Sequence, residues 1–372
     1  NPLAVTWPQV SSDLKPDPAA HFGRLPNGMT YVIYKNATPP GTLSLRLRIN
    51  AGSLMEKDDE RGLAHFVEHM AFNGSRNIPR DQLVPLLQRH GLKIGSIAGA
   101  FTFPEKTAYN FDMPANDDEA IDTALLIARE IVGNLTFDAD AVERERAVIL
   151  GEERLRQSPS LSDRDDWLKV AYAGQAYATR GAVIGLPDII RTASRDDLIG
   201  VYHALYRPEM TTLVIVGDID PADVEARIQA RFSDWTAVGA PRSPDFGVYR
   251  DKGVKAYART RPALADSITL TWFRPWSGKA RTQADTDNQL MDNMLTTMLS
   301  RRLGNYEDGE EGGLIAADVY PETVPYTAEI TRLYITPAPG KARRAMQRAL
   351  WVVRQFTEFG PNQDELDRAL KT

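Results

Sequence analysis

The sequence predicts an α+β protein of two related domains, each a mostly antiparallel sheet packed against helices, with the second domain incomplete. Three observations carry this expectation. Residues 42–50 alternate Leu43, Leu45, Leu47 and Ile49 with Ser44, Arg46 and Arg48, the period of a half-buried strand. Strand-like runs of this kind are interleaved with long helical patterns. The charged stretch 138–147 (DADAVERERA) also returns in placement and charge pattern at 362–370 (NQDELDRAL), which points to an internal repeat.

Taken in order, residues 29–34 are β-rich and precede the 42–50 strand across a Pro-Pro-Gly turn at 39–41. A helix is expected over 59–73, stopped by Gly74 where a left-handed cap is wanted. A short helix over 80–90 and a strand over 107–113 follow, the strand ending before Pro114. Two long helices are expected over 117–132 and 138–156. Ser194 and Asp197 read as a capping box opening a helix that reaches His203. A strand over 211–216 and a helix over 221–232 complete a first domain, 1–235. The Pro/Gly/Ser-rich stretch 236–247 (TAVGAPRSPDFG) reads as a linker. In the second domain, 248–372, strands are expected over 267–272 and 328–335. Helices are expected over 284–303 and 341–359 and from Asn362 onward. Aligned on the repeat, this domain stops where residue 148 stands in the first and lacks about 87 residues.

Composition narrows the chemistry. The formal net charge of −6 argues against a basic nucleic-acid footprint. No apolar run approaches the ~20 residues of a membrane span. With no cysteine, disulfides, thiolate metal ligands and a thiol nucleophile are all excluded, so a metal must be held by His, Asp and Glu. The chain opens at Asn1 without a start Met, which together with the absence of cysteine fits a periplasmic or secreted protein, with a cytoplasmic one as the alternative.

Only five histidines occur, and two of them bracket a glutamate in His65-Phe66-Val67-Glu68-His69. On a helix, His65, Glu68 and His69 share an arc of about 100°, while Leu63, Phe66, Val67 and Met70 fall opposite. Imidazoles at i and i+4 can chelate one tetrahedral zinc, and a carboxylate beside them can take a proton from water activated there. Two partly exposed histidines with a solvated glutamate is the plainer reading. A third protein ligand is available on the 138–156 helix. There Glu145 and Glu152 sit two turns apart inside an apolar arc formed by Ala141, Val142, Val148, Ile149 and Leu155. Carboxylates on a core face need a cation, a metal or an arginine. One can ligate while the other stands behind it.

The segment 61–75 (RGLAHFVEHMAFNGS) closely resembles the active-site helix of the pitrilysin/insulinase metallopeptidases, the inverzincins with His-x-x-Glu-His. Residues 145–152 (ERAVILGE) resemble the family's downstream segment. By this resemblance His65, His69 and Glu152 are the ligands of one zinc ion per chain. Glu68 is the general base and later the general acid, and Glu145 is the supporting glutamate. Residues 185–188 and 202–218, and the second domain as a whole, also fit the family, so the likeness covers nearly the entire chain. It implies an endopeptidase that cleaves unfolded or extended peptides in a closed chamber, the substrate adding as a strand to a sheet edge and further domains or a second family chain closing the chamber. Residues 94–102 (IGSIAGAFT) stand where the family has an Asn-Ala-x-Thr edge strand. Gly99 replaces the Asn, while Ala100 and Thr102 are in keeping and are expected to contact substrate; a Gly-rich turn before a strand explains the same letters. For the family's Arg/Tyr pair, Tyr320, Tyr326 and Arg332 are available and spacing does not choose among them. The alternative function is a non-catalytic, metal-binding or chamber-forming partner of an active peptidase.

Overall fold

The computed structural model describes residues 7–91, 98–156, 158–250, 253–260, 264–278 and 282–371. Asn1 and residues 94–97 of the expected edge segment lie outside them. The chain divides into two compact units. The first comprises residues 1–7 and 16–246; the second comprises 8–15 and 247–372.

The first unit runs β1 (Ala20–Arg24), β2 (Thr30–Lys35), β3 (Leu43–Ile49), α1 (Leu63–Met70), α2 (Arg80–Arg89), β4 (Ala98–Thr102) and β5 (Thr107–Met113). It continues with α3 (Asp118–Gly133), α4 (Ala139–Leu155), α5 (Pro159–Ala171), α6 (Tyr177–Arg180), α7 (Pro187–Thr192), α8 (Arg195–Leu205), β6 (Thr211–Gly217) and α9 (Pro221–Phe232). Its six strands are ordered β1-β2-β6-β3-β5-β4. Only β2 and β6 run parallel, because the chain returns to β2 after the long helical excursion. In β3 and β5 every second residue is buried, as alternation dictates for a sheet with one face on a core. Phe66 of α1 is fully buried, as are Tyr109 and Phe111 of β5. Strand β4 ends the sheet, so its outer main-chain edge faces no strand among the described residues.

Two expectations change here. The helix expected over 59–73 is shorter, because Gly62 takes the left-handed conformation (φ +100°) and separates a 3₁₀ turn at Asp58–Glu60 from α1. On α4 the apolar arc is only partly a core face. Ala141, Val142 and Ile149 are buried, but Val148 is 46% and Leu155, the last residue of the helix, 88% exposed, so burial does not follow the whole arc.

The second unit runs β7 (Ile268–Pro275), α10 (Gln283–Gly304), α11 (Gly309–Gly312), β8 (Leu314–Val324), β9 (Ala328–Pro337), α12 (Ala342–Phe359) and α13 (Gln363–Ala369). Its antiparallel sheet has the order β7-β9-β8. Leu303, Leu314, Leu333, Ile335, Ala345, Ala349 and Val352 form its core. The order β7-β9-β8, with α10 between the first two of these strands in sequence, repeats β3-β5-β4 with α1. Helices α12 and α13 follow as α3 and α4 do, so the repeat seen in the charge pattern is also a repeat of topology.

Candidate active site

The helix α1 begins on a buried carboxylate. Glu56, 2% exposed, accepts hydrogen bonds from the main-chain nitrogens of Gly62 (3.1 Å) and Ala64 (2.7 Å), two of the donors that a helix start leaves unpaired. Burial pushes this carboxyl up to about 8, against those hydrogen bonds. With α1 seated this way, Leu63, Phe66, Val67 and Met70 pack inward. His65 and Glu68 are each 8% exposed.

Helix α4 brings the second half of the site. His65 Nε2 lies 3.9 Å from Glu152 Oε2, and His69 Nε2 lies 3.8 Å from Glu152 Oε1. The two imidazoles stand edge to face, 4.7 Å between centroids. One nitrogen from each histidine and one oxygen of Glu152 all lie within 4.8 Å of one another, the only such group of three metal-ligating side chains among the described residues. These separations are too long for hydrogen bonds. Two donors bound at about 2.0–2.1 Å to one tetrahedral ion would stand roughly 3.3 Å apart, so the three groups surround a space that zinc fits with little adjustment.

The remaining atoms are disposed accordingly. His69 Nδ1 is 3.0 Å from Glu145 Oε2, which directs its Nε2 toward Glu152. Asn73, 4% exposed, donates from Nδ2 to the main-chain oxygen of His69 at 3.0 Å and so closes the end of α1. Burial, assisted by the charges of His69 and Arg156, pushes His65 down to about 3, so it is neutral and able to ligate at any ordinary pH. His69 goes the other way. Burial lowers it, but the Glu145 hydrogen bond and the charges of Glu68, Glu152 and Glu145 outweigh burial and raise it. Glu68 is raised by burial, opposed by the hydroxyl of Thr102, which donates to Glu68 Oε2 at 2.9 Å.

All the expected residues on α1 and α4 therefore come together. Of the expected substrate contacts, Thr102 touches Glu68, and Gly99 and Ala100 lie on the edge strand, opposite Asn110 and Tyr109 of β5. Tyr320 and Arg332 face each other across β8 and β9, and Arg332 pairs with Glu322 at 3.0 Å. Two of the other three histidines are occupied elsewhere. His21 is 3.0 Å from Glu225, and His90 Nε2 is 3.2 Å from the Thr123 hydroxyl. Sequence reasoning missed Glu56 and Asn73. The signal for Asn73 was present, since it lies one helical turn beyond His69.

A His-x-x-Glu-His helix facing a glutamate from a second helix, on an α+β fold, carries the residue pattern of the inverzincins, with a donor set that could hold a metal ion. Residues 31–176 match the family described as insulinase (peptidase family M16), and residues 192–372 match the peptidase M16 inactive domain. The chain belongs to the insulinase/pitrilysin (M16) family. It is 33% identical over 317 residues to the probable zinc protease PqqL of Haemophilus influenzae, covering 83% of this chain and 34% of that protein. It is 25% identical over 422 residues to the chloroplastic stromal processing peptidase of Pisum sativum, covering 97% of this chain and 32% of that one. Among solved structures, the periplasmic protease PqqL from Escherichia coli superposes with a TM-score of 0.81 at 26% identity, over 96% of this chain and 39% of that one. The chain thus spans about a third of the length of these relatives. Among the described residues, no helix is long and apolar enough to cross a membrane.

Proposed function

We propose that the first unit is the catalytic part of a zinc metalloendopeptidase acting on extended peptides, with His65, His69 and Glu152 holding the zinc. The observation that carries this reading is the convergence of both Nε2 atoms on the Glu152 carboxylate at 3.8 and 3.9 Å, with Glu68 buried on the same helix. When bound, zinc lowers the pKa of water to about 7 and polarises a carbonyl. The protein's own groups do the rest. Glu68, its proton affinity raised by burial, accepts the proton of the attacking water and returns it to the leaving amine. Thr102 fixes one Glu68 oxygen, leaving the other to work. Glu145 orients His69. Strand β4 offers its free main-chain edge to a peptide in extended form, so residues at 99–102 run alongside the scissile segment.

The second unit takes a non-catalytic part. All five histidines lie at or before residue 203, so it has no imidazole to offer a metal, and the match to the inactive domain is consistent with this. Further domains or a second family chain, which the greater length of the relatives supports, close a chamber around the substrate. The likeness to a periplasmic protease favours an exported protein.

The test is zinc per chain by elemental analysis in wild type and Glu152→Gln, with cleavage of an unstructured peptide measured alongside. About one zinc in the wild type, sharply less in the variant, and chelator-sensitive cleavage are expected. Zinc-free wild type prepared without chelator would overturn the reading. Full zinc occupancy without cleavage would favour a non-catalytic partner.

A further inference from the structure

Resting on the zinc reading above, the geometry points to Arg146 and Arg195 as positioning residues, a reciprocal clamp that holds α4 at the rotation presenting Glu152 to the two imidazoles. Among the described residues the Glu152 carboxylate accepts no hydrogen bond, and it meets the two Nε2 atoms only at 3.8 and 3.9 Å. Where this carboxylate stands is therefore decided by where α4 stands. A side-chain end lies roughly 5–6 Å from a helix axis, so a turn of about 10° displaces it by about 1 Å. Apolar packing fixes that rotation weakly, since α4 buries only Ala141, Val142 and Ile149 of its 17 residues.

Arg146, one residue beyond Glu145, supplies the first arm, and its side chain is only 12% exposed. Nε donates to Glu143 Oε2 at 3.0 Å and Nη2 to Glu143 Oε1 at 2.9 Å, so the guanidinium plane is set from its own helix. From there Nη1 donates to the main-chain oxygen of Ile190, and Nη2 to that of Ala193 at 2.8 Å, at the end of α7. The same guanidinium lies over the ring of Phe66, the neighbour of His65 on α1, at 5.6 Å. One side chain thus ties α4 to α7 and to the helix that carries both imidazoles.

Arg195 supplies the second arm in the opposite direction. It opens α8, and its Nε and Nη2 donate to the main-chain oxygens of Phe137 (2.7 Å) and Thr136 (3.1 Å), just before α4 begins. Phe137 is buried and left-handed (φ +52°), a backbone conformation that a bulky residue keeps only where its surroundings impose it. Its ring packs against Tyr202 of α8, 5.3 Å between centroids, and its carbonyl is taken by Arg195. The start of α4 is thus fixed by α8 and its middle by α7, and a helix held at two points along its length is not free to turn.

A merely structural role for Arg146, satisfying the carbonyls that the end of α7 leaves unpaired, makes a different prediction. Lost capping lowers the melting temperature but does not change the zinc affinity of molecules that remain folded, whereas a loosened α4 does. In the 372-residue chain, zinc dissociation constants are measured by chelator competition, well below the melt, for wild type, Arg146→Met, Arg146→Lys and Arg195→Met. Cobalt(II)-substituted visible spectra and thermal melts accompany them.

Arg146→Met should weaken zinc about tenfold, the lower end of what disturbing the support of a metal ligand costs. Arg195 is 48% exposed and counts for less, so Arg195→Met should weaken zinc about threefold. Arg146→Lys, which keeps a donor for one of the carbonyls, should fall between wild type and Arg146→Met. Both methionine substitutions should shift the cobalt spectrum in the same direction. Wild-type affinity and spectrum in either of them would overturn the clamp, even with a lowered melt. If Arg146→Met does not fold, Arg146→Lys takes its place under the same criterion. If the wild type itself binds no zinc, the zinc reading of the site has failed and the positioning role falls with it. If the wild type binds and no variant is weakened, the zinc reading stands and the clamp alone is lost.

Discussion

Replacing Glu56 by Gln should remove a pH dependence of stability that originates at the start of the active-site helix. The carboxyl is 2% exposed, accepts from Gly62 and Ala64, and is pushed by burial from 4.5 to about 8. The folded protein therefore binds the proton more tightly than the unfolded chain does. Stability from this group is complete below pH 4.5 and is lost as pH rises toward 8, where the folded state must hold a buried anion. Each factor of ten in proton affinity is worth about 1.4 kcal/mol. The displacement, in which the nearby Arg180 charge is already included, thus corresponds to on the order of 5 kcal/mol between pH 4.5 and 8. Glutamine keeps an acceptor for the two main-chain donors and carries no charge. Denaturant unfolding of wild type and Glu56→Gln at pH 5, 6.5 and 8 should give similar midpoints at pH 5. At pH 8 the variant should be the more stable, by several kcal/mol at most. Parallel pH profiles for the two proteins would show that Glu56 is ionised in the folded state, and the argument from burial would be wrong.

Glu68→Gln should keep zinc stoichiometry while peptide cleavage falls by several orders of magnitude, since the metal ligands are untouched and the proton carrier is gone; equal activity in the variant would remove Glu68 from its role. Gly99→Asn should fold normally, because a Cβ at Gly99 meets only the Phe101 ring at 3.7 Å, an ordinary contact. It should lower KM for extended peptides, by adding an amide beside the strand that receives them, and KM would be read on a peptide series. In the second unit, Arg302 pairs with Glu365 (Nε to Oε1, 2.7 Å) with side chains only 12% and 8% exposed, and also donates to Gly360. Arg302→Met leaves the carboxylate buried without its partner and should cost about 3–5 kcal/mol in the unfolding of that unit by calorimetry.

Much of the fold was legible because its signals are local. The β3 and β5 patterns alternate cleanly and gave strands within a residue of those observed, and α9 matches at both ends. The Ser194–Asp197 capping box is present, Asp197 Oδ2 accepting from Ser194 nitrogen at 2.8 Å. What failed depends on tertiary context. Strand β1 (AHFGR) has no clear alternation and is defined by pairing with β2. Strand β8, broken by Pro321 and shifted in register near Ala316, is held by β9 rather than by its own residues. Helix α5 buries only Leu168, so its sequence carries almost no amphipathic signal.

The site divides along the same line. His65, Glu68 and His69 are neighbours in sequence, so a single helix suffices to recognise them, whereas Glu145 and Glu152 required two helices to be set against each other. Helical spacing placed both glutamates on one stripe, but for a reason that holds only in part. Its apolar residues predict a core face, yet Val148 and Leu155 upon it are exposed. The two carboxylates are drawn out of solvent not by a continuous apolar face but by what stands opposite them, Glu145 by His69 Nδ1 and Glu152 by the paired Nε2 atoms. That explains their unequal exposure, 15% for the Glu145 side chain against 35% for Glu152. The glutamate with a protein partner already in place is the more buried. Glu152 faces the two imidazoles across a gap too wide for hydrogen bonds, the disposition expected of a ligand whose partner is an ion rather than another side chain.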